Sequence, residues 1–284
     1  VNLWELPKIA IAPDVIIPGT WITNTLLCTW ISIICLLVVL GIAIRRQDLI
    51  PSGLQNALEW FIEVIQNLIE SVAGKEKGKK FFPLVATFFL FILFCNLLDI
   101  IPGVDTIGTI SGANLSGPLL WGASSSSDII PWIRPATTDL NLTLAMALVS
   151  VVATQIVSFS MLGFKEQISK YLNFRAIKEK GGMGIIDFVV GLLEIISELG
   201  RIISFSFRLF GNVFAGSVLL AVFAYLLPVV ANIIFVPFEL FVGAIQAFVF
   251  AFLTLLFMQV GTTSHSHALE NEIHEYEENI AATH

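Results

Sequence analysis

Four ionisable residues recur at seven-residue steps in an otherwise largely apolar stretch: Asp187, Glu194, Arg201 and Arg208. Glu198 follows Glu194 by four positions and Asn212 follows Arg208 by four. On an α-helix these residues form one slowly drifting stripe, flanked by Ser197 and Ser204. A charged side chain at the centre of a bilayer costs about 2.5–3.5 kcal/mol on insertion scales, so such groups point at water, at one another or at a translocation path. Glu198 and Arg201 have the spacing of an internal ion pair. Arg208 has only Ser204 and Asn212 one turn away. Arginine stays protonated, with a pKa above about 12, so Arg208 needs a carboxylate from another segment or another chain. A fixed cation facing a titrating carboxylate suits the movement of ions.

Glu239 and Gln246 are also seven residues apart and share a helix face that could meet the stripe across a hairpin. A hydrogen-bonded core pair explains Gln246 as well. Asn96 and Asp99 close one apolar run, and Asp139, Asn141 and Thr143 open the next at the same level. They read either as the mouth of a water-filled entrance or as helix termination, with Asp139 as a cap.

The elements that must position these groups follow from composition. Of 284 residues 56% are apolar and 13% charged, against about 25% charged in a soluble domain, and the mean hydropathy is +0.86. Several apolar runs reach the roughly 20 residues that cross a bilayer. This is an all-α integral membrane protein with about five membrane helices and one interfacial amphipathic helix. Spans are expected at about 21–44, 81–101, 139–163, 185–227 and 229–262, with the interfacial helix at 51–73. Residues 1–20 form an outer N-terminal segment, 21–264 the membrane domain and 265–284 a solvated cytoplasmic tail. In 51–73, Leu54, Leu58, Phe61, Ile65, Leu68 and Val72 make the apolar face and Glu59, Glu63, Gln66, Asn67 and Glu70 the polar one. A helix packed on a partner is the alternative. Gly74 to Lys80 reads as a basic loop, and Pro228 and Pro237 punctuate the join of the last two stretches. As one helix 185–227 is about 64 Å long, against a hydrocarbon core of about 30 Å. Its continuous polar face favours one steeply inclined helix over two short spans.

With five spans, Arg45, Arg46, Lys75, Lys77, Lys79, Lys80 and the five basic residues of 164–182 fall on one side, which places the N-terminus outside and the C-terminus in the cytoplasm. The net charge of −7 is weighted by five acids in the tail, and no basic nucleic-acid surface exists. Cys28, Cys35 and Cys95 lie inside apolar runs and read as small buried hydrophobes. His265, His267, His274 and His284 read as a solvated tail rather than a metal site. No cofactor is expected. The run 26–44 is not a signal peptide, and whether Val1 is the mature start is open. No nucleotide loop or nucleophile arrangement supports a free enzyme. A secondary transporter should carry two related halves, and no internal repeat is found. A structural anchor accounts for helix 54–72 but not for Arg208.

The run Ser206-Phe207-Arg208-Leu209-Phe210-Gly211-Asn212-Val213-Phe214-Ala215-Gly216 resembles the signature of subunit a of F-type ATP synthases, the proton-channel subunit of Fo. So do the runs from Asp139 to Leu148 and from Gln246 to Phe250, and Asn96-Leu97-Leu98-Asp99 with Pro102. The resemblance covers about 20–265. It implies two long inclined helices against a rotating ring of c subunits, with b-type peripheral stalk subunits as further partners, in a bacterial plasma membrane. It implies that Arg208 faces the ring carboxylate, that Glu194, Asn212 and Gln246 are polar positions near it, and that Asn96 and Asp99 line the outer entrance. Asp139, Asn141, Ser204, Glu198 and Arg201 complete the expected channel lining. The transported ion is the proton or sodium. Two linked departures stand out: Ser217 occupies a position where many relatives carry Glu, and Glu239 one where they carry His. Glu239 thereby becomes the expected relay acid.

Overall fold

A computed structural model describes residues 13, 22–45, 53–99, 108–110, 129–131, 134–163, 182–226 and 228–262. In chain order these form α1 (Asn24–Arg45), α2 (Leu54–Asp99), β1 (Gly108–Ile110), β2 (Ile129–Pro131), a 3-10 turn (Ala136–Thr138), α3 (Leu140–Leu162), α4 (Gly182–Leu226) and α5 (Pro228–Gly261). Among the described residues five helices are long and apolar enough to cross a membrane, and the molecule is a multi-pass, all-α membrane protein. Beyond the expected helices, the described residues include a short antiparallel pairing of β1 with β2, where Gly, Ser and Pro obscured any strand pattern, and the 3-10 turn.

The stretch expected as an interfacial helix, a basic loop and a span consists of two helical arms that meet at Gly74, with no loop between them. Lys75 to Lys80 are helical, because Lys and Glu are good helix formers. The break is Gly74 alone, at φ 76° and ψ 164°, a conformation open essentially only to glycine. Phe61 lies 13 residues before it and Phe89 15 after it, so each arm runs about 20 Å from the break. Yet the two rings are only 5.2 Å apart between centroids. The arms therefore fold back on each other as a hairpin. Ile65, Ile69 and Ala73 of the first arm pack on Phe81, Val85 and Ala86 of the second and on Leu255 and Met258 of α5. Glu59, Glu63, Gln66 and Asn67 stay exposed on the far side. On a cysteine-free background, cysteines introduced at Phe61 and Phe89 should cross-link readily; an arm splayed at a right angle would leave them unlinked.

The second arm of α2 runs antiparallel to α5, with Phe88 against Phe250 at 5.4 Å and Lys77 donating to the Thr262 carbonyl at 3.4 Å. α3 runs parallel to α5, with the Ser150 and Thr254 hydroxyls 2.9 Å apart. The basic turn of α2 and the C-terminal ends of α3 and α5 thus share one end of the bundle. The start of α1 and the start of α3 share the other, where Thr25 donates to Asp139 at 3.0 Å.

α4 is one unbroken helix of 45 residues, about 68 Å long, which answers whether 185–227 is one segment or two. A central cluster fixes its rotation: Phe205 and Leu209 are buried with Phe88, Ile92, Met146 and Phe250. Because successive residues turn by about 100°, anchoring Leu209 inward directs Arg208 outward. Pro237 lies inside α5, and Pro228 begins it, where the missing N–H is harmless.

Candidate functional site

Arg208 is exposed on α4. Among the described residues it makes no hydrogen bond and no ion pair. Ser204 and Asn212, one turn on either side, share its open face. Gly200 and Gly211 lie on that face too, and a Cβ built on either meets nothing within 4 Å. Glycine in a helix interior costs about 0.5–1 kcal/mol relative to alanine, and no internal contact requires it at these two positions.

Arg201 is different. Its guanidinium meets Glu198 at 3.0 Å and lies 3.8 Å over the ring of Phe257 on α5, while Gln155 of α3 donates to the same Glu198 at 3.0 Å. Glu198 and Arg201 form an ion pair that ties α3, α4 and α5 together, the internal pairing their spacing allowed. Glu194 is half-buried on α4, 14 residues from Arg208 and so about 21 Å along the helix; the two do not meet.

Above Arg208, α4 and α5 meet at two successive polar contacts. Asn212 donates to Gln246 Oε1 at 3.1 Å. Gln246 Nε2 is buried with no partner among the described residues. The Glu239 carboxylate packs directly on the α4 backbone at Gly216, where an added Cβ would overlap Oε1 and come within 3.0 Å of the carboxyl carbon. Ser217 turns away, donating to the Phe214 carbonyl at 2.9 Å, so Glu239 supplies the carboxylate at this level. A cavity of about 260 Å³ opens beside it, reaching from Asn212 and Gly216 to Asn96 and Gly243. Glu239 lies eight residues above Arg208 in register, about 12 Å of helix rise, and the two are not in contact.

Asn96 is 4% exposed and both its polar atoms are used. Its amide donates to the Gly243 carbonyl at 3.0 Å, and its oxygen accepts from Thr137 at 3.0 Å. Gly243 permits this, since a Cβ there would lie 3.0 Å from that of Asn96. Thr137→Val would leave a buried oxygen unpaired, at a cost of about 1–3 kcal/mol. A lower thermal midpoint of the purified complex is the expected result, and an unchanged one would argue against the latch. Asp139 caps α3, accepting from the Asn141 backbone N–H at 2.9 Å; Asn141 is exposed. The side chains of Asp99 and Asp187 and the histidine tail lie outside the described residues. Among those described, no group of three or more His, Cys, Asp or Glu could hold a metal.

The family model of the ATP synthase A chain matches residues 26–259. The chain belongs to the ATP synthase A chain family. Curated relatives agree, each carrying the name ATP synthase subunit a. That of Geobacter sulfurreducens is 34% identical over 242 residues, covering 84% of this chain and 87% of the relative. That of Moorella thermoacetica is 30% identical over 237 residues, covering 84% and 89%. That of Trichlorobacter lovleyi is 33% identical over 247 residues, covering 86% and 89%. As a member of the ATP synthase A chain family this protein is a membrane component of an ion-transporting, ATP-synthesising complex.

Within this family member, the sequence had pointed to Arg208, Asn212, Glu239 and Gln246; the structure bonds Asn212 to Gln246 and sets Glu239 about 10 Å further along α5, where it lines one cavity with Asn212. Thr137, Gln155, Gly216, Gly243 and Phe257 were missed. Gln155 carried a signal, as an amide inside an apolar span. Thr137 and Phe257 carried none, one in a polar linker and the other among 23 phenylalanines.

Proposed function

We propose that this chain is the stator of the Fo proton path, with two half-channels meeting at Arg208. Protons enter an outer half-channel through the cavity at Glu239, pass Asn212 and Gln246, and protonate a carboxylate on a ring of c subunits. After a turn of the ring the proton leaves by an inner half-channel on the Glu194 side. Arg208 stabilises the ionised ring carboxylate and blocks a direct leak between the half-channels. α4 and α5 lie steeply inclined against the ring, and peripheral stalk subunits hold the chain from another side. The N-terminus is outside a bacterial plasma membrane and the C-terminus is cytoplasmic. The gathering of the basic turn of α2 with the ends of α3 and α5 supports that orientation.

The observation that carries this reading is the open face of α4: an unpaired cation flanked by glycines that no internal contact requires. Such a face suits close passage of partner helices, and its cation suits their carboxylates. Gly211→Leu tests it, because the new side chain would project into the path of the ring. ATP-driven pumping in membrane vesicles should fall sharply in complexes that still contain the subunit. Undiminished pumping would contradict close passage at this face.

A further inference from the structure

We infer that the cavity between α4, α5 and α2 is a binding site for small lipophilic ammonium ions, with Glu239 as their counter-ion. The inference rests on this cavity being the outer half-channel only in its consequence, that an occupant would obstruct protons. Its walls are mostly apolar: Leu219, Phe235, Phe238 and Val242. Its strongest polar group is the Glu239 carboxylate, which has no partner among the described residues. The neighbouring amides are largely committed, Asn96 to Gly243 and Thr137 and Asn212 to Gln246. An inorganic cation would have to shed its water for too few oxygens. A hydrocarbon-bearing ammonium needs only one carboxylate, and its body gains from apolar walls that include Phe235 and Phe238. The volume of about 260 Å³ lies near the lower end of small-ligand pockets, roughly 300–1,000 Å³, which limits the occupant to a small amine. Phe238 is 55% exposed at the margin, and an amine can cross lipid in its neutral form before protonating inside.

The probe is phenethylamine, with phenethyl alcohol as its neutral counterpart, and the readout is saturable binding to the purified whole complex in nanodiscs by ligand-observed NMR. Two variants are compared with the wild type: Glu239→Gln, which removes the charge, and Leu219→Trp, which fills the cavity and spares the carboxylate. Binding of the amine should weaken by about tenfold or more in both, as expected for loss of a charged contact or of the space itself. The alcohol should bind weakly and be indifferent to Glu239→Gln. Equal amine binding by wild type and Glu239→Gln would overturn the site, as would alcohol binding as tight as that of the amine. Proton pumping is measured separately. Normal pumping by Glu239→Gln with amine binding lost would remove the proton path through Glu239 and leave the ammonium site standing.

Discussion

Replacing Arg208 by alanine should abolish ATP-driven proton pumping in vesicles while the complex still assembles. Arg208 is exposed and makes no hydrogen bond or ion pair among the described residues, and its neighbours Phe205 and Leu209 hold the helix in place. Its removal therefore costs the bundle little. The functional loss is electrostatic. A charge pair 4 Å apart at an effective dielectric of 20 is worth about 4 kcal/mol before desolvation, which is about three orders of magnitude in a rate. On the proposed path, removing the cation leaves an ionised ring carboxylate without its counter-charge and removes the barrier between the two half-channels. Vesicles carrying Arg208→Ala should also show raised passive proton leak through the assembled complex. Retained pumping would refute the role assigned to Arg208.

The second large effect is expected at Glu239. Glutamine matches glutamate in size, so the packing against Gly216 survives while the titratable group is lost. Positioned proton donors and acceptors contribute about 10²–10⁴-fold to proton-transfer steps, so pumping by Glu239→Gln should drop by about a hundredfold or more. Glu239→Asp keeps the carboxylate but withdraws it from Gly216, and should give intermediate pumping. Fluorescence quenching of a pH-sensitive dye in inverted vesicles measures both. Wild-type rates with Glu239→Gln would mean that the proton route bypasses the cavity.

The parts of this account legible in the sequence are those with a period. Apolar runs longer than a bilayer is thick specified the membrane helices, and the seven-residue spacing from Asp187 to Arg208 favoured one helix with one polar stripe over two short spans. The absence of an acid one turn from Arg208 singled it out. What was illegible depends on contacts between distant segments. The lysines after Gly74 have the composition of a loop and the propensity of a helix, so the hairpin is set by one glycine and by packing against α5. Asn96 read either as the lining of an entrance or as helix termination; it borders the cavity, while its partners Thr137 and Gly243 come from elsewhere in the chain and were not readable. Glu198 and Arg201 were readable as a pair, but the Gln155 and Phe257 contacts that bind them to two other helices were not. Gly216 and Gly243 are unremarkable in sequence, and their reason is the carboxylate and the amide that press on them.

A tightly bonded, dry pair between Arg208 and the ring would stall rotation, since moving one charge through 100 mV supplies only about 2.3 kcal/mol. On the proposed path the pair is therefore expected to be loose and hydrated. The most direct measurement is a density map of the assembled complex at Arg208, resolved into its rotary states. The account predicts Arg208 facing the ring carboxylates across a hydrated gap that changes from state to state. Arg208 turned away from the ring, or a short two-pronged bond to a ring carboxylate in every state, would contradict it.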